Sequence, residues 1–287
     1  MNTQENIKKT AIIDVGGGMR GIYAAGVMDK CLEEGINFDL GIGVSAGSAN
    51  IASFLARQRG RNFVFYTKFA LRKEYMGLLN FILKKNYVNL DYAYGTLSKS
   101  DGEYPIDYPA MASNPMQFVI VATDALTGEA RYFDKGDISQ DNYDALKASS
   151  TLPLVNQPYV IEGVPYYDGA LSDPVPVKKA LEMGCDKIVL VLTKPRYFRR
   201  KASNDAKAAD RLARKFPKAA EGLRLRAERY NCALEFAEKL AKEGRLIIVA
   251  PDDTCGVDTL TRDTENLVKL YEKGLSDGNK IVSFMRE

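Results

Sequence analysis

Residues 10–21 read TAIIDVGGGMRG, a short β-branched apolar run that leads directly into a glycine cluster. Met19 to Gly35 then carries apolar residues at helical spacing, so the region predicts a strand, a loop and a helix. Asp39 to Val44 and Ala49 to Leu55 repeat this unit around a Gly-Val-Ser-Ala-Gly turn. Strands that alternate with helices favour a mostly parallel sheet covered on both faces. The predicted fold class is therefore α/β.

The middle of the chain continues this alternation. It predicts five strands and one helix, with the strands at Gln117–Thr123, Ala130–Phe133, Gln157–Ile161, Val164–Tyr167 and Lys187–Thr193, and the helix at Pro174–Met183. The second, third and fourth of these strands are short, and the third and fourth read as a hairpin.

The composition changes after this point. Lys194 to Lys218 contains ten basic and two acidic residues, and an Ala/Leu/Glu-rich helical stretch continues to about Lys242. A late strand at Leu246–Ala250 and a final helix at about Thr261–Gly274 follow. We expect a first domain at residues 9–195 and a basic, mainly helical C-terminal segment with one late strand at residues 196–287.

The most informative feature of the composition is that none of the 287 residues is a histidine. A Ser-His-Asp triad, a Cys-His dyad and a His-ligated metal site all need that residue, so the sequence excludes them within this chain. Chemistry must come from carboxylates, hydroxyls, thiols, amines or backbone dipoles. We predict no metal and no cofactor.

Cysteine usage and hydropathy predict a soluble, cytoplasmic protein that is at most peripherally bound to a membrane. The first residues lack the apolar run of a signal peptide, and no apolar run approaches the roughly 18 residues of a membrane span. The cysteines lie far apart without a Cys-x-x-Cys pair, which argues against a disulfide framework or a zinc module and favours buried, inert thiols at Cys31, Cys185, Cys232 and Cys255.

Gly16 to Gly21 fit the pattern G-x-G-x-x-G, after a predicted strand and before a predicted helix. Backbone amides at such a helix start bind negative groups, either the pyrophosphate of a dinucleotide or an oxyanion. Asp39 follows the last glycine by 18 residues, close to where a ribose-binding acid is expected. A nucleotide-binding oxidoreductase that uses Gly16, Gly18 and Gly21 is therefore one alternative.

The second glycine motif runs from Gly43 to Gly47 and has Ser45 at its centre. In G-x-S-x-G the serine lies on a tight strand-to-helix turn that lifts its hydroxyl above the sheet edge. The start of the following helix also favours developing negative charge. The pattern alone is common, but the predicted strand and helix around it favour Ser45 as a nucleophile.

Without histidine the serine needs a carboxylate base, and Asp168 is the candidate because it ends a predicted strand and precedes Gly169. An aspartate with an ordinary pKa of about 3.9 accepts a serine proton poorly in water, so the site must be shielded and the oxyanion stabilised elsewhere. We expect the Gly17 and Gly18 amides to stabilise it, with Arg20 supporting the loop or adding positive charge. An isolated Asp-Gly pair is more typical of a turn, but the three motifs together favour catalysis.

These motifs together resemble those of the patatin-like phospholipases. Asp14–Gly21 resembles the glycine-rich oxyanion motif of that family, Gly43–Gly47 its nucleophile elbow, and Asp168–Ala170 its Asp-Gly-Ala motif, all in the family's order. The resemblance extends from about Ile12 to Thr193, and Ala148–Pro153 resembles the block before the aspartate strand. It implies a three-layer α/β/α fold.

The resemblance also implies roles for individual residues. Ser45 would be the nucleophile and Asp168 its dyad partner, with Gly17 and Gly18 as the main oxyanion donors. The predicted function is a serine acyl hydrolase that cleaves lipid carboxylic esters, of the phospholipase, lysophospholipase or esterase type. A non-catalytic lipid-binding or regulatory protein on the same scaffold is a second alternative.

The basic segments suggest a further partner. Arg57 to Lys85 contains eight basic residues and one acidic residue, interleaved with aromatic and aliphatic side chains. One hypothesis is that this segment and Lys194–Lys218 form a cap and a surface that attract anionic lipid headgroups. Core-packing aromatics on a solvated basic helix explain the pattern at least as well. A net charge of only +3 and the lack of a recognisable module argue against nucleic acid.

Two polar residues near the motifs are interpreted as structural. Ser48 follows the elbow by three residues and is expected in the first turn of a helix. Asp124 ends a predicted strand, but Thr127, Gly128 and Glu129 after it predict a turn. The sequence makes no prediction of oligomeric state.

Overall fold

A computed structural model describes residues 8–286, and these form an α/β fold around one eight-stranded sheet. The strands are β1 (Thr10–Asp14), β2 (Leu40–Val44), β3 (Gln117–Asp124), β4 (Ala130–Asp134), β5 (Tyr159–Ile161), β6 (Val164–Asp168), β7 (Lys187–Val191) and β8 (Leu246–Val249). Their order is β5-β6-β3-β2-β1-β7-β8, and β4 also pairs with β3. The five strands from β3 to β8 in that order are parallel, whereas β4 and β6 run antiparallel to β3.

Helices cover both faces of this sheet. They are α1 (Ile22–Glu33), α2 (Ala46–Leu55), α3 (Arg61–Val64), α4 (Leu78–Lys84), α5 (Tyr108–Ser113), α6 (Asp144–Ser149), α7 (Val177–Glu182), α8 (Ala206–Leu212), α9 (Pro217–Lys242) and α10 (Thr264–Arg286). Successive strand residues point to opposite faces, so Ile12 packs with α1, α2 and α10 while Ile13 packs with α7 and α9. The prediction of a mostly parallel sheet covered on both faces is confirmed.

The final helix is the largest error in the predicted elements. It ends at Arg286, not near Gly274, because Gly274 and Gly278 are helix interior residues. Both glycines face α1, and a Cβ at Gly274 would overlap the backbone oxygen of Tyr23. Glycine here permits close packing of two helices, whereas the sequence pattern suggested a helix end.

Residues beyond 195 contribute to both layers and to the sheet itself. β8 pairs with β7, α9 packs on one face and α10 packs against α1 on the other. The predicted boundary between residues 195 and 196 stays a prediction, but the C-terminal segment extends the sheet of the first domain.

The ends of β2 and β6 meet on one edge of β3. β4 pairs with one edge of β3 across both Val121 and Ala122. On the other edge Val121 pairs with Val44, the last residue of β2. Ala122, the next residue, pairs with Asp168, the last residue of β6. Because β2 and β6 run toward each other along this edge, the residue after Val44 is brought next to Asp168.

The four cysteines differ in how deeply they are buried. Cys31 and Cys185 are buried as predicted, but Cys232 is exposed and Cys255 is half-buried, so the prediction of four buried thiols is wrong. Cys232 is on the outer side of α9, whose Tyr230 and Leu234 are buried.

Across residues 8–286, no helix combines the length and apolar character that crossing a membrane would require.

Candidate active site

Ser45 occupies a strained turn between β2 and α2. Its backbone has φ 58° and ψ −131°, a conformation that a residue with a side chain rarely adopts. The Ser45 amide donates to the Ser149 hydroxyl at 2.9 Å, and that hydroxyl donates to the Val121 carbonyl at 2.6 Å. The Ser48 hydroxyl donates to the Ser45 carbonyl at 2.7 Å from the first turn of α2, which confirms its structural interpretation. These bonds fix the elbow to the central strand.

Asp168 lies beside Ser45 and is buried at the end of β6. Burial raises the pKa of its carboxyl, and the neighbouring Ser45 side chain and a hydrogen bond from the Ala170 amide partly oppose the rise. The Ala170 bond is 2.8 Å long. Positive charge at Arg226 and Arg200 also lowers this pKa. The structure therefore brings the predicted serine and aspartate together, with the carboxylate in a shielded position.

The first glycine loop lies directly against the elbow. Gly16 is so close to β2 that a Cβ would overlap the Val44 carbonyl oxygen, which explains the glycine there. Gly18 opens a short 3-10 helix, so its amide has no intrahelical acceptor. Among residues 8–286 the Gly17 amide also has no protein acceptor. Gly17 and Gly18 line the same cavity as Ser45, as the sequence predicts.

A buried polar network that the sequence reasoning missed holds this loop. The Asp14 carboxylate accepts from the Gly16 amide at 2.9 Å and from the Asn50 side-chain amide at 2.8 Å. Asn50 also donates to the Gly21 carbonyl at 2.9 Å. Burial raises the pKa of Asp14 to about 6 despite these two bonds. Asp14 is the last residue of β1, and its position immediately before the glycines is the signal that could have identified it.

Arg20 is a buried cation of the same cavity. Its guanidinium lies beside Gly17 and forms an ion pair of 3.5 Å with the exposed Asp258, and burial lowers its pKa. Its Nε is buried and has no hydrogen-bond partner among the described residues. Arg20 therefore lies against the glycine loop with one donor free among the described residues, and its role in stabilising an oxyanion stays a prediction.

The cavity has a volume of about 220 Å³ and is built from two parts of the chain. One wall contains the predicted motifs. The other contains residues that sequence reasoning did not single out, namely Thr193, Lys194, Arg200, Arg226, Tyr230, Asp258 and Thr259. A second, mainly apolar cavity of about 60 Å³ shares Ser45, Gly18, Leu152 and Thr259 with the first. Ser45 thus lies between a polar and an apolar compartment.

The remaining motif glycines are close-packing positions. A Cβ at Gly21 would overlap the Tyr66 hydroxyl, and a Cβ at Gly43, Gly47 or Gly169 would overlap backbone atoms of Ser48, Asp14 or Val121, respectively. Each therefore allows the elbow, the loop or the aspartate turn to approach its neighbour. They shape the site without contributing a reactive group.

Two acidic residues lie away from the site. Asp39 precedes β2, at the end of the strand opposite Ser45, and its carboxylate accepts from the Thr10 amide at 2.7 Å and the Thr10 hydroxyl at 2.8 Å. It is therefore not available as the ribose-binding acid of the dinucleotide alternative. Asp124 accepts from the Leu126 and Thr127 amides, which confirms its turn role. Within residues 8–286 no cluster of three or more acidic, cysteine or histidine side chains is arranged to hold a metal ion.

Fold and site define an α/β protein with a strained serine, a buried aspartate and a glycine loop at one sheet edge. Residues 15–181 match the family described as patatin-like phospholipase, and residues 216–287 match a domain of unknown function, DUF6363. The first match spans more than half of the chain. This chain belongs to the patatin-like phospholipase family.

The chain is also similar to individual proteins. The chain is 30% identical over 192 residues to the uncharacterized protein YjjU of Escherichia coli, covering 65% of this chain and 52% of YjjU. It is 27% identical over 179 residues to an uncharacterized NTE family protein of Mycobacterium bovis, covering 61% and 46%. The chain thus spans about half the length of these relatives. VipD from Legionella pneumophila shares the fold, with a TM-score of 0.50 and 15% identity over 96% of this chain and 67% of VipD.

Proposed function

We propose that this protein is a serine acyl hydrolase that cleaves carboxylic esters of lipids through Ser45 and Asp168. The observation that carries the proposal is the meeting of these two side chains on one edge of β3, beside the free amides of the glycine loop. The buried carboxylate has a raised pKa, which makes it a better proton acceptor than an exposed aspartate.

The reaction would proceed in two steps. Ser45 Oγ attacks the ester carbonyl carbon while its proton passes to Asp168, and the Gly17 and Gly18 amides stabilise the resulting oxyanion. Collapse of this intermediate breaks the bond to the alcohol oxygen, which takes the proton from Asp168. Water then attacks the acyl-serine carbonyl and gives a proton to Asp168. Collapse of this second intermediate breaks the bond to Ser45 Oγ, which takes that proton from Asp168, and the carboxylic acid is released.

The apolar cavity beside Ser45 supports the proposal that the substrate is an ester of a fatty acyl chain, which would lie in this cavity. It is lined by residues such as Phe65, Tyr75, Met76 and Val88, and it opens beside Ser45. An acyl chain in that cavity would place its carbonyl between Ser45 and the glycine loop. Burial of apolar surface at about 25 cal/mol per Å² would stabilise the complex.

A fluorophosphonate probe tests the nucleophile directly. We expect covalent labelling of the wild-type chain and none of Ser45→Ala, because the probe reacts with an activated serine hydroxyl. Ser53→Ala is the matched control: Ser53 is a buried serine of α2 whose hydroxyl donates to Asn62, and Ser53 itself lines neither cavity. Unchanged labelling of Ser45→Ala would remove Ser45 as the nucleophile. Failure of the wild type to react, with no ester hydrolysed, would favour the non-catalytic lipid-binding alternative.

We also propose that α4 contacts anionic membranes. The first half of Arg57–Lys85 packs into the core, with Tyr66 and Phe69 buried, whereas α4 in the second half has no buried residue. Leu78 and Leu83 are 72% and 70% exposed, and the exposed Leu79, Phe81 and Ile82 join them. Lys84 and Lys85 follow immediately, which gives an apolar surface next to positive charge.

The position of α4 relates this surface to the apolar cavity. Met76 and Val88, on either side of α4, form an isolated bridge and both line that cavity.

Sedimentation with vesicles containing anionic lipid tests this proposal, and it should pull down the wild type but not Leu79→Asp. Leu126→Asp, at an exposed leucine of the β3–β4 turn, should bind as the wild type does. Equal sedimentation of all three chains would contradict a role for α4. The cytoplasmic location stays a prediction.

A further inference from the structure

Four cations line the cavity that holds Ser45 and Asp168. Arg20 comes from the glycine loop, Lys194 and Arg200 from the segment after β7, and Arg226 from α9. The acids that line the same cavity are Asp168 and Asp258. Because Asp168 faces Ser45 and Asp258 is 90% exposed, positive charge dominates the interior of this cavity.

Half of this positive charge is not neutralised within residues 8–286, because Arg20 pairs with Asp258 and Arg226 with Asp205, while Lys194 and Arg200 form no ion pair. Arg226 is paired with Asp205 by bonds of 2.6 and 3.0 Å. By contrast, Arg200 has a buried Nε without a partner among residues 8–286, as Arg20 does. Lys194 Nζ lies 3.9 Å from the centre of the Phe198 ring, and in the described part of the chain it forms no ion pair. Buried donors without acceptors cost stability, so their presence in a cavity points to an anionic ligand.

The cations are close enough to affect one another. Burial and the neighbouring arginines lower the pKa of Lys194 to about 8, with Asp258 opposing this, and burial with Arg226 lowers that of Arg200 to about 10. Both groups remain mainly protonated at neutral pH. Such mutual repulsion is relieved when a multiply charged anion occupies the space between them.

We propose that this cationic compartment binds a phosphomonoester on the alcohol part of the substrate, next to the ester that Ser45 attacks. The preferred substrates would be acyl esters of phosphorylated alcohols, with the acyl chain in the apolar cavity and the phosphate among Arg20, Lys194 and Arg200. This inference rests on the proposed hydrolase function. A phosphocholine group would be disfavoured, because its ammonium would face the same cations in a cavity of about 220 Å³.

Three of the four cations of this compartment lie outside the family match at residues 15–181, whereas Arg20 lies within it. Lys194 and Arg200 lie between the two matched regions, and Arg226 lies within the match at residues 216–287. Substrate selection would therefore depend largely on residues that follow the family match, while the reactive groups Ser45 and Asp168 lie within it. This assigns a binding role to Lys194 and Arg200, which lie between the two matched regions.

Matched substrates and adjacent arginines test the proposal. The ratio of kcat/KM for a lysophosphatidic acid to that for the monoacylglycerol with the same acyl chain should be well above one in the wild type. Arg200→Gln should lower this ratio by about tenfold or more, since charge-assisted hydrogen bonds are lost. Arg199→Gln should leave the ratio unchanged, because Arg199 pairs with Glu238 at 3.1 Å and does not line the cavity. Equal ratios in all three chains would overturn the proposal.

A binding measurement separates this inference from the hydrolase function. Calorimetric titration of Ser45→Ala with inorganic phosphate, and with lysophosphatidic acid, requires no turnover. The site is supported if Ser45→Ala binds both ligands and Ser45→Ala/Arg200→Gln binds both more weakly. This outcome would support the site even if no ester is hydrolysed and the proposed reaction fails. Lysophosphatidic acid that binds no more tightly than phosphate would indicate a site for the free anion and overturn the substrate assignment. Ester hydrolysis without any phosphate binding would remove the cationic site alone.

Discussion

The two walls of the active-site cavity are built in different ways. The motif wall consists of Gly16–Gly18, Ser45 and Asp168, which are placed by strand ends and by backbone contacts. The opposite wall, here called the C-terminal wall, includes the cations Lys194, Arg200 and Arg226, whose long side chains reach the cavity from a loop and from α9. One wall is specified by backbone geometry and the other by the direction of flexible side chains.

This difference assigns chemistry to one wall and selectivity to the other. Backbone amides and a strained elbow cannot adapt to different substrates, since their positions are fixed by the sheet. Arginine and lysine side chains are flexible, so they can move and change the shape of the cavity without altering that sheet. Substitutions in the motif wall should therefore affect all esters, and those in the C-terminal wall should distinguish between them.

The largest expected effect is that of Asp168→Asn. Loss of the proton acceptor should lower kcat by about 10²- to 10⁴-fold for both lysophosphatidic acid and the matched monoacylglycerol. Steady-state kinetics on the two substrates measures this. Asp173→Asn is the control, because Asp173 is another carboxyl near the end of β6 whose pKa burial raises, but it accepts from Tyr132 at 2.8 Å outside the cavity. A loss restricted to one substrate would contradict the assignment of Asp168 to the motif wall.

The next effect should come from Gly16→Ala. The new methyl group would overlap the Val44 carbonyl and displace the loop, which removes oxyanion donors and should lower kcat by about 10²-fold for both esters. Strain and overlap together should cost about 3 kcal/mol of unfolding free energy. Gly35→Ala is the control, because Gly35 also has a positive φ of 67° but no atom lies near its missing Cβ. Urea denaturation would measure the unfolding free energy of both variants, and steady-state kinetics would measure their kcat. Equal losses in Gly16→Ala and Gly35→Ala would contradict this prediction.

The sequence predicted the motif wall because each of its residues carries a local signal. A glycine beside a strand end, or a serine between two glycines, indicates a close approach regardless of the rest of the fold. The parallel sheet and most strands were predicted for the same reason. No local pattern shows that β3 aligns the ends of β2 and β6. This alignment depends on pairing between Val44 and Val121, 77 positions apart, and between Ala122 and Asp168, 46 positions apart.

The C-terminal wall could not be predicted in this way. The basic run from Lys194 to Lys218 was recognised, but nothing in it separates Arg200, which enters the cavity, from Arg199, which pairs with Glu238. Arg226 lies in a long helix where charged residues are common. Gly274 shows the same limit, because a glycine that ends a helix and one that packs against another helix look alike in sequence.

A smaller effect, specific to the C-terminal wall, should depend on pH. Lys194 has a pKa lowered to about 8, so it loses its charge as the pH rises above that value. KM for lysophosphatidic acid should then increase several-fold between pH 7 and 9, whereas KM for the monoacylglycerol should stay nearly constant. Lys194→Met should abolish this pH dependence, and Lys207→Met, on the exposed side of α8, should retain it. Parallel pH dependence for both esters would assign the titration to another group.

The smallest expected effect would couple the two walls. Asp168 must be ionised to accept a proton, so turnover of the neutral monoacylglycerol should fall as the pH drops through the raised pKa of that carboxyl. Arg200 lowers this pKa, and Arg200→Gln should therefore move the acid limb of kcat/KM to higher pH. Arg199→Gln should not move it. An unshifted limb in Arg200→Gln would mean that the C-terminal wall acts on the substrate alone and leaves the electrostatics of the motif wall unchanged.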